Sequence, residues 1–215
     1  MTPFPPIVQT LNYPQYSSKD EYGDDHPIWN TSTIAQIHIQ IAPKDLKKLI
    51  LPSNMDDRDY MHVNFTFFNG AVKEQMNNVG MRVKGGASRA FAKKSWKLSF
   101  NAFEKGRKWF GQNKLPLKAT SMTPMYVREL SSIAGLKSMG APAQRASFAN
   151  IYINGESWGL YTMFEDPGRD EYLNSRFGTA KGALWKCSVR LRFCVSHCTF
   201  SLTYLLCSSR QYRFC

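Results

Sequence analysis

Apolar and polar residues alternate strictly through "IAQIHIQIA" (residues 34–42) and again through "YMHVNFTFF" (60–68). A period of two marks a half-buried strand, because successive side chains point to opposite faces of a sheet. Asn69-Gly70 follows the second run and suits a tight turn. "NNVGMRVKG" (77–85) and "SWKLSF" (95–100) read as two further strands. The clearest hairpin is "ASFANIYINGESWGLYTMFE", with Asn154-Gly155 as its turn and strands at 146–153 and 157–165. Two stretches follow the helical period instead. "PKDLKKLILP" (43–52) predicts one or two turns closed by Pro52. Met125, Val127, Leu130, Ile133, Ala134 and Leu136 predict a helix over 124–139. Thr123-Pro124 would start it, Gly140 would stop it, and Gly135 lowers its propensity. Several antiparallel strands, one main helix and a hairpin make an α+β unit. There is no internal repeat and no strand–helix alternation of the doubly wound kind.

The 215 residues suffice for one domain with a real core. Residues 1–30, rich in Pro, Tyr, Asp and Ser, read as an extended lead-in. They carry no basic start followed by an unbroken apolar run, so the expectation is a chain with no secretion signal. No stretch approaches the length needed to cross a bilayer as a helix. Asn30-Thr31-Ser32 and Asn64-Phe65-Thr66 are glycan acceptor patterns that matter only in an exported chain. All 16 acidic residues lie at or before Glu171, and all five cysteines at or after Cys187. Residues 187–215 thus differ abruptly from what precedes them and read as an aberrant tail, such as translated intron or out-of-frame sequence. Cys194, His197 and Cys198 lack the second ligand cluster of a zinc site, and disulfides would need an oxidising compartment.

Net charge is +12, which makes an anionic partner physically plausible without choosing one. The charge concentrates in residues 82–108, where nine basic side chains accompany the single acid Glu104. "GMRVKGGASRAFAKKSWKLSF" (80–100) is the core of this region. Gly85 and Gly86 let the backbone approach a ligand, successive N–H groups there can form an anion nest, and Ser88 adds a hydroxyl donor. The stretch matches neither the P-loop nor the dinucleotide pattern, and two glycines between strands also make an ordinary turn. In "KSWKLSF", Trp96, Leu98 and Phe100 share the inner face, which leaves Lys97 on the other. In open water that lysine is unremarkable. Under cover it needs an acid or an anion, because an unpaired buried charge is costly.

Glu129 is the sole acid between Glu104 and Glu156 and falls in the predicted helix. A strand lysine oriented by a helix glutamate holds nucleotide phosphates in protein kinases, whereas Arg128 beside Glu129 offers a surface pair with no catalytic meaning. Glu165-Asp166-Pro167-Gly168 closes the last strand, either as an ordinary turn or as a hinge to a second lobe. Aromatics interleaved with the basic residues suggest a nucleic-acid stacking surface, but alternation sends several of them inward and no binding-module pattern occurs, so no nucleic-acid partner is expected. The four histidines are scattered and show no base–nucleophile pairing.

The stretches "MRVKGGASRAFAKKSWKLSF" (81–100), "YVRELSSIAG" (126–135), "APAQRASFANIYINGESWGLYTMFE" (141–165) and "DEYLNSRFGTAKGALWK" (170–186) carry a resemblance. The chain resembles the CotH kinase-like proteins, a family named for a bacterial spore-coat protein and abundant in fungi. The resemblance implies an atypical protein-kinase-like fold: an antiparallel small-lobe sheet with one main helix in residues 31–186, and a large lobe mostly missing. It implies phosphate transfer from ATP, with Mg or Mn, to Ser or Thr of coat or secretory-pathway proteins. By resemblance Arg82, Gly85, Ser88 and Arg89 sit near phosphates, with Gly86 beside them. Lys97 orients phosphate, with Lys94 as the alternative and Glu129 as its partner. Glu165 stands where adenine meets the hinge. The family's catalytic and metal-binding aspartates lie further on, and this sequence has no acid after Glu171. No catalytic or metal-binding residue is therefore assigned, and the chain as given is expected not to phosphorylate. The other readings are a cell-surface adhesion protein of invasin type, with a host-cell receptor as partner, and a structural coat component. Localisation by resemblance is the spore coat, the cell surface or the secretory pathway.

Overall fold

The computed structural model describes residues 26–51, 57–121, 125–168, 170–181, 184–186 and 210–212. The lead-in before residue 26, Pro52, the Thr123-Pro124 helix start and the cysteines of the tail lie outside them. The alternating stretches form strands: β1 (Ala35–Ile41), β2 (Met61–Phe68), β3 (Lys73–Lys84), β4 (Ser95–Ser99), β6 (Ala146–Ile153) and β7 (Glu156–Phe164). A further strand, β5 (Lys114–Lys118), lies in "KLPLK", which periodicity does not mark. Among the described residues there are three α-helices: α1 (Pro43–Ile50), α2 (Arg128–Ser138) and α3 (Asp170–Phe177). A short antiparallel pair, β8 (Leu184–Lys186) with β9 (Arg210–Tyr212), forms a separate sheet.

The expected kinase-like fold, an antiparallel small-lobe sheet with one main helix, is corrected by this arrangement. Seven strands close into a barrel in the order β1-β2-β3-β4-β5-β7-β6. Closure depends on a parallel pairing of β1 with β6, from Ala35 opposite Ala149 to Ile39 opposite Ile153. That contact joins residues more than a hundred positions apart, so local alternation could not reveal it. It removes both free edges of the sheet.

The barrel interior is filled by the inward set of each strand. Ile37, Ile39, Phe65, Phe67, Met81, Trp96, Leu98, Leu115, Leu117, Ile151, Tyr161 and Met163 are fully or almost fully buried. Between β4 and β5 the chain folds back to insert Trp109, whose backbone exchanges two hydrogen bonds with Gln112. Its ring meets Phe65, Phe67, Phe100 and Phe110 at centroid distances of 5.0–5.4 Å, mostly edge to face. Fully burying one such side chain contributes about 1.5–3 kcal/mol. The β6–β7 turn has Asn154 at φ 51° and Gly155 at φ 85°, the double positive φ of a type I′ two-residue hairpin. Asn154 also clasps β1: its amide donates to the Ile41 carbonyl and accepts from the Ile41 N–H, both at 2.9 Å.

Helix α2 stops as the sequence indicates. Gly140 at φ 72° donates to the Lys137 carbonyl and Ala141 to that of Leu136, the paired bonds of a Schellman end. Its apolar residues do not pack as expected. No residue of α2 is buried, and Met125, Val127, Leu136 and Met139 are exposed. In α3, by contrast, Tyr172 and Leu173 are buried.

Candidate functional site

The β3–β4 connection starts with Gly85 at φ 126°, where a Cβ would collide with the Ser88 hydroxyl. The niche that glycine opens is thus filled by the loop's own serine. A 3-10 turn over Ala87–Ala90 then points Arg89 inward. Arg89 is 3% exposed, and its guanidinium donates to the carbonyls of Gly85 (2.8 Å), Val83 (2.9 Å) and Asp57 (3.0 Å). Lys94 is also buried and donates to the Arg89 carbonyl at 2.6 Å. Lys93 donates to the Leu160 carbonyl at 2.6 Å and lies over the Tyr161 ring. Burial pushes the Tyr161 hydroxyl up to about 12. Gly86, next to Gly85, faces open space.

Strand register places Arg82 opposite Lys97 and Lys97 opposite Pro116, so the outward side chains of β3, β4 and β5 form one cationic face. Like charges directly opposed across strands repel. Here they have answers. Lys97 Nζ is 2.6 Å from Asp166 Oδ2, with the two side chains only 12% and 16% exposed. Arg82 lies over the Tyr60 ring at 5.2 Å, and Lys114 Nζ is 3.4 Å from the Tyr60 hydroxyl. Burial alone would raise the Tyr60 hydroxyl, but these two cations outweigh it and leave its pKa lowered. Lys118, on β5, reaches Glu129 of α2 at 2.6 Å, and Arg128 stands 3.3 Å from the same oxygen. Burial again opposes ionisation of Glu129, and Lys118 overcomes it, so that carboxyl titrates below the usual range.

Glu165 is fully buried just after β7. Its carboxylate accepts from the Arg145 guanidinium and from the Arg145 backbone N–H, with Arg176 of α3 at 3.8 Å. This cluster binds the β6 start, the β7 end and α3 together. Asn113 also donates to Glu171 of α3, and Lys108 lies 3.7 Å from that carboxylate.

The structure thus brings Arg82 and Lys97 onto one face, next to but not part of the loop that carries Gly85, Gly86, Ser88, Arg89 and Lys94. Glu129 pairs with Lys118, while Lys97 pairs with Asp166. Sequence reasoning reads Asp166 only as part of a turn or hinge and gives Lys118 no role. The one available signal for Lys118 is its polar position after "LPL", which becomes readable only once 114–118 is known to be a strand. Among the described residues no three His, Cys, Asp or Glu side chains are grouped closely enough to share a metal ion. The donors of the basic loop are turned onto backbone carbonyls.

The sequence profile of the family described as "CotH kinase protein" matches residues 81–206, more than half of the chain. The chain belongs to the CotH family. It is similar to "Spore coat protein homolog 1" of Rhizopus delemar, with 24% identity over 80% of this chain and 28% of that protein. It is similar to "Inner spore coat protein H" of Bacillus subtilis, with 26% identity over 73% of this chain and 40% of that protein. It is also similar to "Invasin CotH2" of Rhizopus delemar, with 26% identity over 77% of this chain and 27% of that protein. The chain therefore spans well under half the length of these curated CotH relatives. Among the described residues no helix is long and apolar enough to cross a membrane.

Proposed function

We propose that this chain is a coat or cell-surface domain of the CotH family that acts by contact with other macromolecules and does not itself transfer phosphate. One observation carries this reading. Arg89, Lys94 and Lys93, the cations that the glycine loop would offer to a phosphate, donate instead to the protein's own carbonyls. A buried guanidinium with its donors occupied is a fold joint, and withdrawing it toward a ligand would strand buried carbonyls. The names of the spore-coat and invasin relatives support the same reading for location.

Calorimetric titration of the chain with Mg·ATP and Mn·ATP tests it, together with fractionation of the tagged protein in its own cells. We expect no saturable binding up to about 1 mM nucleotide, the range of barely useful affinity, and recovery of the protein with the coat or wall. Micromolar nucleotide binding abolished by Lys97→Ala, or a purely cytosolic protein, would overturn it.

A phosphotransferase reading is favoured by one specific feature. The Lys118–Glu129 pair joins a strand lysine to a helix carboxylate, the arrangement that positions nucleotide phosphates in protein kinases. Under that reading Lys118→Ala, with Lys97 intact, removes nucleotide binding from the longer family protein.

A further inference from the structure

The outer face formed by β6, β1 and β2 differs from the cationic one. Its outward residues are Phe148, Asn150 and Tyr152 on β6, Gln36, His38 and Gln40 on β1, and His62, Asn64 and Thr66 on β2. None is a carboxylate, ammonium or guanidinium. Burial lowers the pKa of His38, which keeps that ring uncharged near neutrality. This is an uncharged stretch of sheet on a chain of net charge +12.

At one end of this face lies an open recess of about 760 Å³ with an apolar floor of Ile41, Pro43 and Val63, within the size range of small-ligand sites. Its rim is made of amides and one imidazole. Gln40, Asn64 and Asn77 are exposed, and their side-chain amides make no hydrogen bond among the described residues. The residues around them are fixed. Asn154 is held by both its amide atoms on Ile41. Asn78, at φ 58°, donates to Glu104 and so presents Oδ1 to His62 Nδ1 at 2.6 Å. That contact holds the ring stacked on Phe103 at 3.5 Å. Elsewhere on the same face, His38 and Tyr152 stack at 4.6 Å.

We propose that this recess binds a neutral glycan. An amide presents two donors and an acceptor side by side, which matches the paired donor and acceptor character of neighbouring sugar hydroxyls. The apolar floor and the exposed His62 ring at the rim suit the C–H faces of a pyranose. The lack of lysine and arginine on these three outward rows disfavours acidic polymers at this site, although net charge would draw them elsewhere on the molecule. The inference deepens the coat or cell-surface reading by naming a partner class, since neutral polysaccharide is a material of coats and walls.

The test uses the full chain made in bacteria, so that Asn64 carries no glycan, and neutral hexasaccharides of β-1,3-glucan, β-1,4-glucan and chitin type, with oligogalacturonate as the acidic probe. Titration followed by ¹⁵N amide shifts should show saturable, weak binding of at least one neutral probe, with the shifted amides mapping to residues 40–42, 62–64, 77–78 and 154. The triple variant Gln40→Ala, Asn64→Ala, Asn77→Ala should weaken that binding by at least about tenfold. No neutral binding up to about 10 mM, shifts confined to another surface, binding retained by the triple variant, or binding of the acidic probe alone would each overturn the proposal. None of these outcomes bears on the nucleotide titration or the fractionation, so failure here is distinct from failure of the coat or surface reading.

Discussion

The two outer faces of this barrel use opposite chemistry. On β3, β4 and β5 the outward positions include Arg82, Lys97, Lys114 and Lys118, and each reaches an acid or a tyrosine supplied from outside the sheet. On β6, β1 and β2 the outward positions carry no carboxylate, ammonium or guanidinium, and the Gln40 and Asn64 amides have no hydrogen-bond partner among the described residues. The difference shows what the high net charge conceals. Many of the cations that look like a ligand site in the sequence serve as joints of the fold, while the surface left with unspent hydrogen-bonding capacity is neutral. Availability, not charge density, separates a binding face from a structural one.

The largest effect is expected at Glu165. If the ionic groups near the cationic face are joints, removing this fully buried acid leaves Arg145 buried without its counter-charge, at a cost of about 3–5 kcal/mol. Glu165→Gln should therefore show a large drop in the urea midpoint with little change in slope. The double variant Arg145→Met, Glu165→Leu should recover much of that loss, because a pair replaced by apolar residues leaves no stranded charge. A Glu165→Gln chain as stable as the parent would mean that the cluster is not a joint.

Next in size is the pair at mid-strand. Asp166→Asn should cost about 1.5–3 kcal/mol, the range for a hydrogen bond to a charged group, since both side chains are mostly covered. A double-mutant cycle with Lys97→Ala isolates the coupling. Zero coupling would return Lys97 to the pool of cations available to a ligand. The Lys118–Glu129 pair should matter less. Lys118 is 41% exposed, so solvent screening holds the pair to about 0.5–1 kcal/mol. Its pH signature is specific. The folded-state pKa of Glu129 lies below its unfolded value. The stabilisation is therefore complete above the ordinary glutamate range and is lost as pH falls through the lower, folded value. Acid unfolding curves of the parent and of Glu129→Gln should separate above that window and converge below it.

Most strands are legible in the sequence because one side of each faces the core. Period two in "IAQIHIQI" and "YMHVNFTFF" follows directly from the Phe65, Phe67, Ile37 and Ile39 interior. β5 escapes because Leu115, Pro116 and Leu117 are all buried, which erases alternation. Closure escapes because a parallel β1–β6 contact leaves no local trace. Apolar spacing predicts the helix over 124–139, yet only Leu130 and Ile133 are half-buried while Met125, Val127, Leu136 and Met139 are exposed, since spacing reports a face and not what covers it. Within the candidate site, the position of Lys97 on the outward face is readable from Trp96 and Leu98 turning inward. Its acid is not, because Asp166 comes from a loop that only the folded chain brings near. The inward course of Arg89 and Lys94 is equally hidden. A cation that donates to a carbonyl has the same sequence signature as one that awaits a phosphate.

The smallest expected effect on stability says most about the neutral face. The side chains of Gln40, Asn64 and Asn77 make no hydrogen bond among the described residues and lie open to water, so replacing all three with alanine strands no described buried group and opens no cavity. Surface changes of this kind stay within about 0.5 kcal/mol each, and alanine's lack of side-chain entropy offsets part of that in a strand. The melting temperature should barely move. Asn154→Ala supplies the contrast within the same recess. It removes two hydrogen bonds to Ile41 and a residue suited to φ 51°, so it should destabilise by about 1–3 kcal/mol. If the triple variant melts as low as Asn154→Ala, those amides are part of the scaffold after all. The neutral face would then be tied into the fold no less than the charged one, and the distinction between the two faces would disappear.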